Sequence, residues 1–139
     1  MVGHHIKVDN DTVIPSNWKD FLSCDENKDS LFKLLACSIQ ELQPPSQKLV
    51  IATQGQNAVS SPIVDMSCLI CSHEEADTRL LFHAFHAYNQ GYRKLMLCAT
   101  DTDIVVIAIA VVSVLENCEV AFGHGSKVRY IHVTKLQSI

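Results

Sequence analysis

The stretch SHEEADTRLLFHAFHAYNQGYRKLMLCATDTD, residues 72–103, decides how the chain is read. Ser72 followed three residues later by Glu75 fits the S-x-x-E capping box at a helix start. Ala76, Leu80, Leu81, Ala84, Phe85 and Tyr88 then recur at helical spacing as far as Gly91, a residue suited to the left-handed turn that closes a helix. Lys94–Thr100 (KLMLCAT) follows as a short, nearly continuous apolar run, the pattern of a strand covered on both faces. Two acidic clusters bracket this unit: Glu74-Glu75-Ala76-Asp77 where the helix opens and Asp101-Thr102-Asp103 where the strand closes.

Working outward, Ile104–Leu115 is read as a helix behind an Asp103 cap, in spite of its β-branched residues. Glu119–Phe122 and Val128–Val133 read as strands joined by the glycine-bearing loop Gly123-His124-Gly125-Ser126-Lys127. Upstream, residues 54–71 look like an irregular connection and Lys48–Thr53 like a buried strand. A helix opened by Asp29 or Ser30 puts Leu31, Leu34, Leu35 and Ile39 inward and stops before Pro44-Pro45. Ser16 or Asn17 caps a shorter helix with Trp18, Phe21 and Leu22 on one face. Residues 1–15 read as a frayed edge strand. Alternating helices and buried strands give an α/β expectation: a three-layer sandwich with a mainly parallel central sheet.

A chain of 139 residues, 47% hydrophobic and 19% charged, suits one globular domain. Its formal net charge of −4 leaves no broad basic footprint, so contact with nucleic acid has to be local or metal-mediated. The longest apolar run, Ile104–Val112, is about half the roughly 20 residues that span a bilayer, and no membrane anchor or signal peptide is read. The six cysteines sit largely in apolar stretches, which suits a reduced, intracellular setting. Cys68-x-x-Cys71 is half of a zinc site without a second half.

The acidic clusters carry the chemistry. Ligands collect beyond the carboxyl ends of strands in open α/β sheets, where Asp101 and Asp103 are expected. Separated by one residue, they can project to the same side of an extended backbone. Hard cations such as Mg²⁺ take oxygen ligands, and a cation relieves the repulsion between neighbouring carboxylates. Each acid also has a structural reading: Glu75 closing a capping box or pairing with Arg79, Asp101 and Asp103 capping the next helix. His83 and His86 stand too far along the helix to join the cluster, whereas His73 adjoins it. Arg79, Arg93, Lys94, Lys127 and Arg129 are the cations for a phosphate backbone, scattered in sequence. Trp18 suits its helix face better than a base-stacking platform.

Glu75-Ala76-Asp77 followed by Ala99-Thr100-Asp101-Thr102-Asp103 resembles the two central acidic motifs of the PIN-like, flap-endonuclease (XPG-type) nucleases, an E-A-E or E-A-D at a helix start and a D-x-D after the next strand. The resemblance implies that Glu75, Asp77, Asp101 and Asp103 are catalytic metal ligands for two Mg²⁺ or Mn²⁺ ions that activate water against DNA or RNA. Ile14-Pro15-x-Asn17-Trp18-x-Asp20-Phe21-Leu22, Ser72-His73-Glu74-Glu75-Ala76-Asp77-Thr78-Arg79 and Val120-Ala121-Phe122-Gly123 are also similar to a group of invertebrate proteins with multicopy, transposon-like genes. An earlier strand-borne aspartate and a later Gly-Cys-Asp, both expected from the nuclease pattern, are not found, so the chain is expected to be an internal piece, incomplete at both ends. Two rivals stand beside this reading. One is a non-catalytic PIN-like module that binds protein or nucleic acid; the other is a Toprim-like or nucleotide-binding α/β domain, in which the glutamate follows a strand.

Overall fold

The computed structural model describes residues 4–72, 75–111, 114, 115 and 117–133. The chain is mixed α/β and divides into two compact units, residues 1–70 and 71–139.

In the first unit, α1 (Trp18–Leu22) starts at Asn17, whose side-chain oxygen accepts the Asp20 N–H at 3.3 Å. Trp18 packs edge-on against Phe21 with ring centroids 5.5 Å apart, as a shared apolar face requires. The second helix, α2 (Asp25–Glu41), begins a turn ahead of the expected Asp29. Asp25 and Glu26 favour its positive end, and Asp25 pairs with Lys28 at 2.6 Å. Leu31, Leu34 and Ile39 are half-buried, but Leu35, expected inward with them, is 49% exposed. Helix α2 packs on the short α1 and on a two-stranded hairpin, and among the described residues these leave its Leu35 flank open.

That hairpin corrects the expected irregular stretch. Strand β1 (Val50–Gln54) turns through Gly55-Gln56 into an antiparallel β2 (Asn57–Ser61), with Gln54 opposite Asn57. Gly55 has φ +59°, the left-handed backbone that a two-residue turn needs and glycine adopts without cost. Asn57 and two serines disguise β2, because these residues carry little β preference. Residues 4–15, the described part of the expected edge strand, are irregular instead and tied to the unit by Asn27. Fully buried on α2, Asn27 accepts the Ile6 N–H at 2.7 Å and donates to the carbonyls of His4 and Phe21 at 3.0 and 3.1 Å.

The second unit runs α3 (Ala76–Asn89), β3 (Leu95–Ala99), α4 (Asp103–Val111), β4 (Cys118–Phe122) and β5 (Arg129–His132). β3 and β4 are parallel, Leu95 opposite Cys118 and Ala99 opposite Phe122. The connection that carries α4 is long enough for a crossover; the short loop after β4 is not, and β5 returns antiparallel with Arg129 opposite Phe122. Of the three described strand pairs only β3/β4 is therefore parallel, not the mainly parallel sheet expected.

Leu81 and Ala84 of α3 and Ile104 and Ala108 of α4 form one core with Leu97, Val120 and Cys118 of the sheet. Both helices thus lie against the Leu97/Val120 face. On the other face Met96 of β3 is 55% and Tyr130 of β5 63% exposed, and Cys98, two residues along β3 from Met96, is exposed as well. β3 is accordingly covered on one face among the described residues, and its apolar run reflects Met96 and Cys98 rather than a second buried layer. No described helix is long and apolar enough to cross a membrane.

Candidate functional site

The acidic residues at the start of α3 and those after β3 belong to one end of the second unit. Helix α3 packs on β3 and joins it through residues 90–94, with Gly91 at φ +95° reversing the chain. A helix and a strand packed together through so short a connection run antiparallel. α3 is about 21 Å long and β3 about 17 Å, so the beginning of one lies near the end of the other.

Glu75 occupies the N-cap position of α3 with extended backbone, and its side chain makes no capping hydrogen bond. Its carbonyl accepts the Arg79 N–H at 3.1 Å and the Thr78 hydroxyl at 2.9 Å. The expected capping box is not formed, because the helix begins at Ala76 and leaves Ser72 outside its first turn. The exposed Glu75 carboxylate is thereby left to solvent or a ligand. Asp77, half-buried, stands in the first turn, where the helix dipole favours it. His73 and Glu74 lie outside the described residues.

Asp101 and Asp103 are exposed at the carboxyl end of β3. Asp101 Oδ1 accepts the Asp103 N–H at 3.2 Å and the Thr102 hydroxyl at 3.4 Å. The Thr102 carbonyl receives the first helical N–H groups of α4, from Val105 and Val106 at 3.0 and 3.2 Å. Asp101 thus fastens the turn that starts α4, and Asp103 is the first helical residue. The carboxylates are hard oxygen donors of the kind Mg²⁺ and Mn²⁺ take. Among the described residues no three His, Cys, Asp or Glu side chains stand together as a ready cation cage.

Beside this end opens a cleft of about 670 Å³, walled by Thr100, Gly123, His124, Ser126, Lys127 and Arg129 with Phe122 at its side. The Gly123 N–H donates to the Ala99 carbonyl at 3.0 Å, carrying the β3/β4 ladder past Phe122 and seating the loop next to Thr100. Gly123 has φ +111°, and a Cβ there would stand 2.7 Å from the Lys127 carbonyl oxygen, so this close fold-back requires glycine. Lys127 and Arg129 are far from Asp101 in sequence. The pairing of Arg129 with Phe122 brings both to the end of the sheet that bears Asp101.

Of the remaining cations, Arg79 is 6% exposed and one guanidinium nitrogen donates to the Cys71 carbonyl, so it does not face solvent as a phosphate ligand. Arg93 lies over the Tyr88 ring at 4.3 Å and donates to the Tyr88 carbonyl at 2.7 Å, beyond the far end of α3. His83 sits in the body of α3, where burial, and to a lesser extent Arg79 and His86, hold its pKa below the ordinary imidazole value. Of the C-x-x-C pair, Cys68 is exposed and Cys71 buried. No family model matches the chain, and no curated protein or solved structure matches it.

Proposed function

We propose that the second unit is a PIN-like, metal-dependent phosphodiesterase module acting on DNA or RNA, with Glu75, Asp77, Asp101 and Asp103 as the carboxylates that hold Mg²⁺ or Mn²⁺. What supports this reading is that α3 packs on β3, which puts the acidic start of α3 toward the carboxyl end of the parallel pair β3/β4 where Asp101 and Asp103 follow, and that the carboxylates of Glu75, Asp101 and Asp103 are exposed. A divalent ion bound there supplies activation of water and neutralises charge on the phosphodiester. The chain's own part is to present oxygen donors from two helix ends, one of them held by the Asp101–Asp103 hydrogen bond. On this reading a further layer covers the Met96, Cys98 and Tyr130 face of the sheet, making the three-layer sandwich of the resemblance.

A second reading, a non-catalytic nucleic-acid-binding module of the same fold, is favoured by two observations. Asp101 already serves the α4 turn, and no described trio of ligands is gathered. Incubating the full chain with end-labelled single- and double-stranded DNA and RNA in Mn²⁺ separates the two. Cleavage that disappears in Asp103→Asn and in chelator supports the nuclease; binding without cleavage supports the second reading.

A further inference from the structure

We infer that the cleft bounded by Thr100, Gly123, His124, Ser126, Lys127 and Arg129 binds a phosphate ester, as a site separate from the four carboxylates. The inference rests on the phosphodiester reading only for the choice of nucleic acid as the ligand's source. Three features support it. First, the cleft concentrates two permanent cations, Lys127 and Arg129, in a chain whose formal charge is −4, and both are exposed. Arg129 offers a planar fork that matches two phosphate oxygens, and Lys127 a mobile point charge. Secondly, the groups around them, the hydroxyls of Thr100 and Ser126 and the His124 imidazole, can complete the hydrogen bonding of a phosphate without adding negative charge.

The third feature is the fixed position of the loop. Gly123 ties it to Ala99, and the fold-back onto Lys127 leaves no room for a side chain at 123. The cations therefore stand on a backbone anchored to the sheet, next to the chain segment that leads to Asp101 and Asp103. A phosphate in the cleft would lie beside those acids, whose repulsion weakens it until a divalent ion is present. A nucleic-acid backbone and a free nucleotide share this chemistry, and the ligands used distinguish them.

The test is fluorescence anisotropy on the full 139-residue chain in chelator, with a labelled single-stranded oligonucleotide as probe and a nucleoside monophosphate as competitor. Lys127→Gln and Arg129→Gln are each expected to weaken the oligonucleotide about tenfold, as loss of a charged hydrogen bond does. The double variant is expected to flatten the slope of log affinity against log salt by about 1.4, two single-strand phosphate contacts. Lys127→Arg keeps the charge and should restore binding, while Lys33→Gln, on exposed α2, should leave it unchanged. A strand binding more tightly than the monophosphate assigns the cleft to nucleic acid, and equal affinity assigns it to a free phosphate ester. No binding by the unaltered chain, or equal binding by Lys127→Gln, Arg129→Gln and the unaltered chain, overturns the inference. Because chelator is present throughout, loss of Mn²⁺ binding in the aspartate variants bears on the proposed function and leaves this result untouched.

Discussion

Asp101 is asked to do two things, and two substitutions separate them. Its Oδ1 accepts the Asp103 N–H at 3.2 Å, one of the donors that the start of α4 otherwise leaves unpaired. Asp101→Ala removes that acceptor, a loss of about 1 kcal/mol by the usual cost of deleting a helix-start cap, and the residue's exposure sets it toward the lower end of the range. Asp101→Asn keeps an oxygen in the same place and removes only the charge near the positive end of α4, worth roughly 0.3–1 kcal/mol and screened by salt. The expected order of stability is unaltered chain, Asn, Ala, with Ala lower than Asn by about 0.5 kcal/mol, a Tm difference of roughly 2–4 °C for a unit of this size. Urea unfolding followed by far-UV circular dichroism reads the order. Both variants should weaken Mn²⁺ equally, since both lack the charge. If Asn is as destabilised as Ala, the hydrogen bond is not what holds the turn; if Asn keeps full Mn²⁺ affinity while Ala loses it, the loss comes from a loosened helix and not from a missing ligand.

Three further outcomes are expected. Asn27→Ala deletes three hydrogen bonds from a fully buried side chain and should cost about 1–3 kcal/mol, the released freedom of residues 4–15 offsetting part of the loss; rapid amide exchange at Ile6 is the specific sign, and unchanged protection there would refute the tether. Gly123→Ala drives a Cβ toward the Lys127 carbonyl at a φ of +111° and should lower stability by about 1–3 kcal/mol; a thermal melt matching the unaltered chain would contradict the fold-back. His83 has its folded pKa held below the ordinary 6.5, so the unfolded chain takes up the proton first as pH falls. Its contribution to stability is then fully present above pH 6.5 and lost as pH drops through that value toward the folded pKa, and His83→Gln should flatten the urea midpoint between pH 7 and pH 5.

The helix-strand heart of the second unit, α3 and β3, was legible because its signals agree. A long apolar stripe, a glycine stop and a short apolar run all read the same way, and α3 and β3 fall within the expected bounds. The site followed only in part. Capping-box spacing pointed to a helix near Ser72, yet the helix begins at Ala76, because a tetrapeptide pattern cannot say whether Glu75 is the first residue outside the helix or the third inside it. β2 was hidden by asparagine and serines, whose place in a strand is set by pairing with Val50–Gln54 and not by their own preference. Continuous hydrophobicity in Lys94–Thr100 suggested burial on both faces, but periodicity does not register which partners are present to cover Met96 and Cys98. Asn27 gave no signal at all, since a buried amide is recognised only from the three backbone groups that it reaches. The cleft was missed for a related reason. Lys127 and Arg129 line one cleft with Thr100 only because β3 pairs parallel with β4, a pairing between segments far apart in sequence.

Calorimetric titration of Mn²⁺ into the full chain, repeated with Asp101→Asn combined with Asp103→Asn, asks whether the acidic end of the second unit is a metal site. Saturable binding by the unaltered chain that weakens at least tenfold in the double variant, with the circular dichroism spectrum unchanged, is the expected result. Equal heats in both proteins, or no binding by the unaltered chain, would reduce Asp101 and Asp103 to the fastening of α4 and remove the metal from the function.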